Sequence, residues 1–141
     1  MKTLILIIYC CSAFIFMQDE LKGDIQIKVT DLPSSKGKVM LAVYNSKENF
    51  EQTGIFYKNA ELEIVKRTAS FTFKDLPYGE YAIKLYHDEN SNRLLDTGLF
   101  GIPTEGYAFS NNASGFMGPA TYNASKFKLD KKRVTQTSSV K

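Results

Sequence analysis

The sequence of 141 residues contains no tryptophan and only two cysteines, Cys10 and Cys11, which lie together in an apolar N-terminal segment. From residue 12 onward the chain has no cysteine, and this excludes disulfide bonds and a cysteine nucleophile from the rest of the protein. A domain without such cross-links depends on its hydrophobic core. A chain of about 120 residues can supply one, since it buries roughly two-thirds of its surface.

The sequence also lacks an apolar run of the roughly 20 residues that a membrane-spanning helix needs. Its longest apolar run, residues 4–11, follows Lys2 and is itself followed by small residues. This arrangement is typical of a secretory signal peptide. We therefore predict that residues 1–18 are a signal peptide and that the protein is exported, to the periplasm or the extracellular space. No stable membrane span is expected after cleavage; a short membrane anchor is the alternative.

Neither sign of charge dominates, because 18 basic residues face 15 acidic ones and the formal net charge is +3. The basic residues are scattered, apart from the cluster Lys131-Lys132-Arg133. Nucleic-acid binding requires a basic patch or stripe, so we predict no nucleic-acid partner. Because polar residues follow the cluster, we assign residues 131–141 to a polar basic tail and residues 19–130 to the folded domain.

Helix signals are few, and alternation of apolar and polar residues dominates the chain. The one helix signal is Asn45-Ser46-Lys47-Glu48, in which Asn45 would cap a short helix. Strand patterns occur near residues 25–29, 38–44, 62–64, 71–73, 81–87 and 126–129. This pattern predicts an all-β fold: a single immunoglobulin-like or prealbumin-like β-sandwich of about seven strands, with one short helix and a long ordered loop.

The long loop is the stretch between Asp96 and Tyr122, where the alternation disappears and five of the nine glycines occur. Loops of this length are uncommon in compact domains and are usually functional or disordered. Its aromatic residues argue against disorder, so we expect the loop to fold back over one end of the sandwich and to pack through its own rings. We call residues 87–122 the loop end.

Oxygen-bearing side chains recur at alternate positions where the fifth predicted strand ends. Four of them match positions one, three, five and nine of a helix-loop-helix calcium loop: Asp88, Asn90, Asn92 and Asp96. They are our candidate calcium ligands, and no other cofactor is indicated. The match is incomplete, because Arg93 replaces the glycine of position six and Leu99 replaces the bidentate glutamate of position twelve. The favoured alternative is a tight turn in which these side chains bond their own backbone.

Three motifs, in this order, resemble the signatures of the bacterial family called domain of unknown function 2141. They are Leu76-Pro77-Tyr78-Gly79-Glu80-Tyr81-Ala82, then residues 86–92 with Leu95-Asp96, then residues 101–112. The resemblance covers approximately residues 24–129. The chain departs from the family at Ser91 and Arg93, where glycine is common. The resemblance implies an exported, single β-sandwich domain and supplies no activity, because the function of the family is unknown.

The candidate ligand-binding residues are His87, Glu105, Tyr107, Phe109 and Asn111, all at the loop end. His87 is the only histidine, and a transition-metal site normally needs three or more convergent ligands. Strand alternation places His87 on the same face as Ile83 and Leu85. We therefore expect a buried imidazole that bonds a loop carbonyl or Glu105.

Catalysis has little support in the sequence, and we name no catalytic residue. No nucleophile elbow surrounds Ser110 or Ser114. A carboxylate pair of Glu105 with Asp88 or Asp96 could hydrolyse a glycosidic bond only if the two carboxylates were held at a defined separation, and nothing in the sequence fixes that separation. We favour a non-catalytic binding or envelope-associated module that recognises a peptide, a glycan or another envelope partner. A purely structural domain with self-packed loops ranks second, and a small metal- or carboxylate-dependent hydrolase ranks third.

Overall fold

A computed structural model describes residues 21–141, so the predicted signal peptide and both cysteines lie outside the described residues. Within this range two short α-helices are present, α1 (Lys47–Glu51) and α2 (Tyr122–Ser125), with two single-turn 3-10 segments, Leu99–Gly101 and Ser110–Asn112. None of these helices is long or apolar enough to cross a membrane. The strands are β1 (Lys22–Thr30), β2 (Lys38–Tyr44), β3 (Lys58–Glu63), β4 (Ala69–Pro77), β5 (Gly79–Asp88), β6 (Tyr107–Phe109), β7 (Phe127–Leu129) and β8 (Arg133–Ser139).

The strands form two sheets that pack face to face. The smaller sheet has the order β4-β1-β8, and the larger has the order β3-β2-β5-β6, with β7 paired to the beginning of β5. Paired strands are antiparallel except β1 and β8, which run parallel. The predicted all-β sandwich is confirmed, with eight strands where about seven were expected.

Alternate residues of the central strands fill the space between the sheets. Eight aliphatic ones are at most 2% exposed: Ile25, Ile27, Val29, Val39, Leu41, Val43, Ile83 and Leu85. Full burial of each such side chain contributes about 1.5–3 kcal/mol, so this layer is the main source of stability in a domain without disulfides. His87 continues the inward alternation of β5 and is fully buried, as the sequence predicted.

A second apolar cluster covers the outer face of the larger sheet. Phe50 of α1 contacts Tyr44 and Tyr122, at ring-centroid distances of 5.3 and 5.6 Å, and Phe109 completes the group. The Nζ of Lys84 lies 4.2 Å from the centroid of the Phe50 ring and donates a hydrogen bond to the Phe50 carbonyl. Burial lowers the pKa of Lys84. This cluster fixes both helices to the sheet.

The cap of α1 is Ser46 rather than the predicted Asn45. The Oγ of Ser46 accepts a hydrogen bond from the backbone N of Asn49 at 3.2 Å, and the backbone of Ser46 is extended. Asparagine and serine are similarly good caps, so the two adjacent candidates could not be separated by residue type.

Strand β8 corrects the prediction that residues 131–141 form a tail outside the domain. Its register with β1 runs from Asp24 opposite Arg133 to Thr30 opposite Ser139. Ser138 is fully buried, and Val140 beyond the strand is 7% exposed. The prediction was wrong because the inward positions of β8 include the polar residues Gln136 and Ser138, so the segment lacks the apolar alternation that is typical of a strand.

Candidate functional site

The chain leaves β5 at Asp88 and turns back through a tightly hydrogen-bonded polar loop. Asp88 is 1% exposed, and its two carboxylate oxygens accept hydrogen bonds from the backbone N of Asn92 (3.1 Å) and of Arg93 (2.8 Å). The amides of Asn90 and Asn92 donate to Asp96 at 2.5 and 2.8 Å. The four candidate calcium ligands therefore lie together, and each bonds within the loop, as the favoured turn alternative requires.

Glu105 closes this loop from the other side. It is 8% exposed, and its carboxylate accepts hydrogen bonds from the backbone N of Glu89 (2.9 Å) and of Asp96 (3.1 Å). One buried side chain thus connects the beginning and the end of the polar loop. We call residues 88–96 together with Glu105 the polar corner. Within residues 21–141 no group of three or more histidine, cysteine or acidic residues is arranged to hold a metal ion.

His87 connects the polar corner to the turn after β1. Its Nε2 lies 2.7 Å from the carbonyl oxygen of Lys36, to which it donates. Its Nδ1 has no hydrogen-bond partner among residues 21–141, and the Oε1 of Glu89 lies 3.8 Å from it. The predicted bond to a loop carbonyl is therefore present, and Glu105 is not the partner. The backbone at Gly37 lies very close to the backbone of Asp88, because a Cβ at position 37 would be 1.9 Å from the carbonyl oxygen of Asp88. The φ of +66° at Gly37 also favours glycine.

The structure does not bring the five predicted ligand-binding residues together in an open cleft. His87, Glu105 and Phe109 are buried, and the side-chain nitrogen of Asn111 donates to the carbonyls of Ala124 (3.2 Å) and Lys126 (2.9 Å). Tyr107 is the half-buried member of the set. For these residues the geometry favours the structural alternative, in which the loops are packed and bonded to one another.

Asn112, which was not among the predicted site residues, also has a structural contact. Its Oδ1 accepts from the backbone N of Ser139 at 2.8 Å, and its Nδ2 donates to the carbonyl of Thr137 at 3.2 Å. Beside it the backbones of Tyr107 and Lys141 bond to each other in both directions. Asn112 thus covers part of the free edge of β8, and this role could not be predicted while β8 was assigned to a tail.

The position of Ser110 does not support a role as a catalytic serine. This side chain is buried, accepts a hydrogen bond from the backbone N of Ile83 at 2.9 Å and donates one to the carbonyl of Ser125. His87, the only histidine, bonds elsewhere. The hydroxyl of Ser110 therefore joins β5 to α2 rather than to a general base.

Between the polar loop and β6 the chain forms a tight hairpin, residues 96–104, which we call the apolar hairpin. Its backbone bonds include Thr104 N to Asp96 O (2.9 Å) and Gly98 N to Ile102 O (2.8 Å). The tip residues Phe100 and Gly101 have φ values of 60° and 71°. This is the conformation of a type I′ hairpin turn, which normally selects asparagine, aspartate or glycine at both positions.

The tip of the apolar hairpin is exposed to solvent. Leu99 is 83% exposed, Phe100 97% and Ile102 64%, and in the neighbouring loop 113–118 Phe116 and Met117 are 94% and 93% exposed. The expectation that the rings of the long loop pack over the sandwich is correct for Phe109 and Tyr122 and wrong for Phe100 and Phe116. A sequence signal was available, since Glu105 is the one charged residue between positions 97 and 125.

Tyr107 and Lys141 line both a depression next to the apolar hairpin and a cavity next to loop 113–118. The depression measures about 510 Å³, is open to solvent and is also lined by Ile102, Pro103 and Glu105, so it brings two of the five predicted ligand-binding residues, Glu105 and Tyr107, to one surface. The cavity measures about 60 Å³, and since pockets for small molecules usually measure about 300–1,000 Å³ it is too small for such a ligand. The distinctive feature of the loop end is its protruding apolar surface.

No curated protein matches the sequence. Among solved structures, the crystal structure of a fimbrial assembly protein from Parabacteroides distasonis is similar, with 10% identity and a TM-score of 0.44. The similarity covers 86% of this chain and 53% of that chain, so this chain spans about half the length of that protein. A sequence model of the family described as "uncharacterized protein conserved in bacteria", domain of unknown function 2141, matches residues 27–137. The chain therefore belongs to this uncharacterised bacterial family.

Proposed function

We propose that the protein is an exported, non-catalytic binding module that contacts an envelope partner through the apolar hairpin and the adjoining loop 113–118. The observation that carries this proposal is the exposure of Leu99, Phe100 and Ile102 on one hairpin. Single exposed apolar side chains are ordinary, whereas contiguous ones are typical of interaction sites. Export rests on the signal-peptide pattern of residues 1–18.

Phenylalanine is unfavourable at position 100 for two reasons: its ring is exposed to water, and its backbone lies in the left-handed region. A non-glycine residue held in an unfavourable backbone region costs on the order of 1–3 kcal/mol, and Phe100 has a φ of 60°. Burial of Leu99, Phe100 and Ile102 against a partner would return about 1.5–3 kcal/mol for each side chain. Part of that gain offsets the loss of freedom on association, so the hairpin alone supports a weak, reversible contact.

The polar corner supplies the rigid base that such a contact needs. Glu105 bonds the backbone N of Asp96, the first residue of the apolar hairpin, and Asp96 also accepts from the two asparagine amides of the loop. Recognition surfaces are commonly loops positioned by a rigid scaffold. Polar residues of the loop end thus hold the geometry, and apolar residues make the contact.

The test is retention of the purified protein by envelope fragments of the producing bacterium. Phe100→Asn removes the exposed ring and places a residue suited to the left-handed turn, so we expect the fold to be kept and retention to fall at least tenfold. The matched control is Phe56→Asn, because Phe56 is 43% exposed but precedes β3 at the opposite end of β2. Equal retention of Phe100→Asn and the unaltered protein would contradict the proposal.

A further inference from the structure

We propose that the partner of the apolar hairpin is a lipid bilayer surface, into which the side chains of Leu99 and Phe100 insert. This inference rests on the proposed function and names the class of partner. It follows from the charge pattern of the loop end, from the backbone hydrogen bonding of the hairpin and from the position of a second exposed apolar loop.

The charge pattern matches the uncharged interior of a bilayer. No charged residue occurs in residues 97–104 or 106–125. The acidic groups at the base of the hairpin, Asp96 and Glu105, accept hydrogen bonds from within the polar corner. A charged side chain in hydrocarbon is costly, whereas interfaces with proteins usually carry a polar rim around their apolar centre. The hairpin tip itself, residues 97–104, carries no charged side chain, and the exposed charges beside its base are Glu89 and Lys141, which line the depression next to Ile102 and Pro103.

The backbone of the hairpin suits the same environment. Polar backbone groups placed in hydrocarbon must find partners within the chain. In the hairpin the backbone N–H groups of Gly98, Gly101, Ile102 and Thr104 each donate to a carbonyl of the same hairpin. The N–H groups of Thr97, Leu99 and Phe100 take no part in these bonds, so the pattern fits a shallow insertion in which side chains enter the hydrocarbon and the tip backbone stays at the level of the headgroups.

A second contact point lies on loop 113–118. Phe116 and Met117 are more than nine-tenths exposed, and Tyr107 lines both the cavity next to this loop and the depression next to the apolar hairpin. Tyrosine is enriched at the level of lipid headgroups, where its ring meets the acyl chains and its hydroxyl meets water. We therefore assign loop 113–118 as the second contact with the bilayer, with Tyr107 at the level of the headgroups.

The expected binding is weak and driven by apolar contact. A single myristoyl chain partitions with a constant of about 10⁴ M⁻¹, and we expect the hairpin to reach the same order of magnitude. Because the tips carry no charge, binding should change little with salt or with the fraction of anionic lipid.

The experiment is sedimentation with neutral phosphatidylcholine vesicles, using the unaltered protein, Phe100→Asn, Leu99→Ser and the control Phe56→Asn. We expect the unaltered protein and the control to sediment with the vesicles equally in low and high salt. Phe100→Asn and Leu99→Ser should bind at least tenfold more weakly. Unchanged melting temperatures of the variants would show that their fold is intact.

Absence of sedimentation with neutral vesicles would overturn the lipid assignment, and so would equal binding of Phe100→Asn and the unaltered protein. Binding that requires anionic lipid and disappears in high salt would also contradict it. If envelope fragments retain the protein in a Phe100-dependent manner while pure vesicles do not, the lipid assignment fails and the proposed function stands. Loss of retention by protease-treated fragments would likewise overturn the lipid assignment and indicate a protein partner.

Discussion

At the scale of single residues, the polar corner depends on Glu105. Its carboxylate accepts two backbone N–H groups, and hydrogen bonds to charged groups contribute about 1.5–3 kcal/mol each. We expect Glu105→Ala to lower the free energy of unfolding by roughly 3 kcal/mol and Glu105→Gln by less, since the amide retains one acceptor. Urea denaturation measures both. The control is Glu89→Gln at an exposed position, and a change below about 0.5 kcal/mol for Glu105→Ala would refute the role of Glu105.

Calcium binding by the polar corner is the alternative to the self-bonded turn that the sequence favoured, and a direct measurement distinguishes the two. The oxygens of Asp88 and Asp96 accept hydrogen bonds from the loop itself, so the loop geometry does not depend on a cation. We therefore expect the same melting temperature in calcium as in chelator. A ligand that binds only the folded state raises the melting temperature, so a rise in calcium would show that the cation binds.

The sequence predicts local contacts of the loop end better than distant ones. The bonds of Asp88 to its own loop follow from aspartate and asparagine chemistry within a few residues. The partners of Glu105 lie 9 and 16 residues away, and the partner of His87 is 51 residues away. Such pairs are fixed by the packing of the strands, which residue types alone do not reveal.

At the scale of elements, β8 is the strand that the sequence analysis assigned to a tail. Deletion of residues 133–141 removes a parallel register of seven residues with β1. At about 1 kcal/mol for each backbone hydrogen bond, the loss is a large fraction of the 5–15 kcal/mol that stabilise a typical domain. We expect the truncated protein to lose its cooperative thermal unfolding transition. The control is Thr137→Ala, an exposed change in the same strand, and an unchanged transition after truncation would restore the tail assignment.

The strands that could be predicted share one property: apolar residues, aliphatic or aromatic, recur at alternate positions along them. The sequence pattern predicts β2 with its observed bounds, residues 38–44, because Val39, Leu41 and Val43 alternate with less buried residues. Strand β6 escaped because it has only three residues within a stretch rich in glycine and asparagine. It is identified from its pairing with β5, whereas β7, which is equally short, was predicted because Phe127 and Leu129 alternate with lysines.

At the scale of the whole molecule, a sandwich without disulfides presents a polar base and an apolar tip at one end. The fold follows from alternation along the strands, whereas the exposure of Phe100 does not. Periodicity distinguishes the buried face of a regular strand or helix from its exposed face. A hairpin tip has no such regular period, so the pattern of apolar residues does not show which of its side chains are exposed. The phenylalanine-glycine pair at a type I′ turn, within an almost uncharged stretch, is the sequence feature that would have indicated the contact surface.

The absence of tryptophan permits the most direct test of this contact surface. A Phe100→Trp variant carries one tryptophan at the hairpin tip, and a Phe56→Trp variant carries one at the opposite end of the larger sheet. On mixing with envelope fragments, we predict that the emission of Phe100→Trp shifts to shorter wavelength as the ring leaves water, while that of Phe56→Trp does not change. Unchanged emission of Phe100→Trp in protein that the fragments retain would contradict a contact through the apolar hairpin.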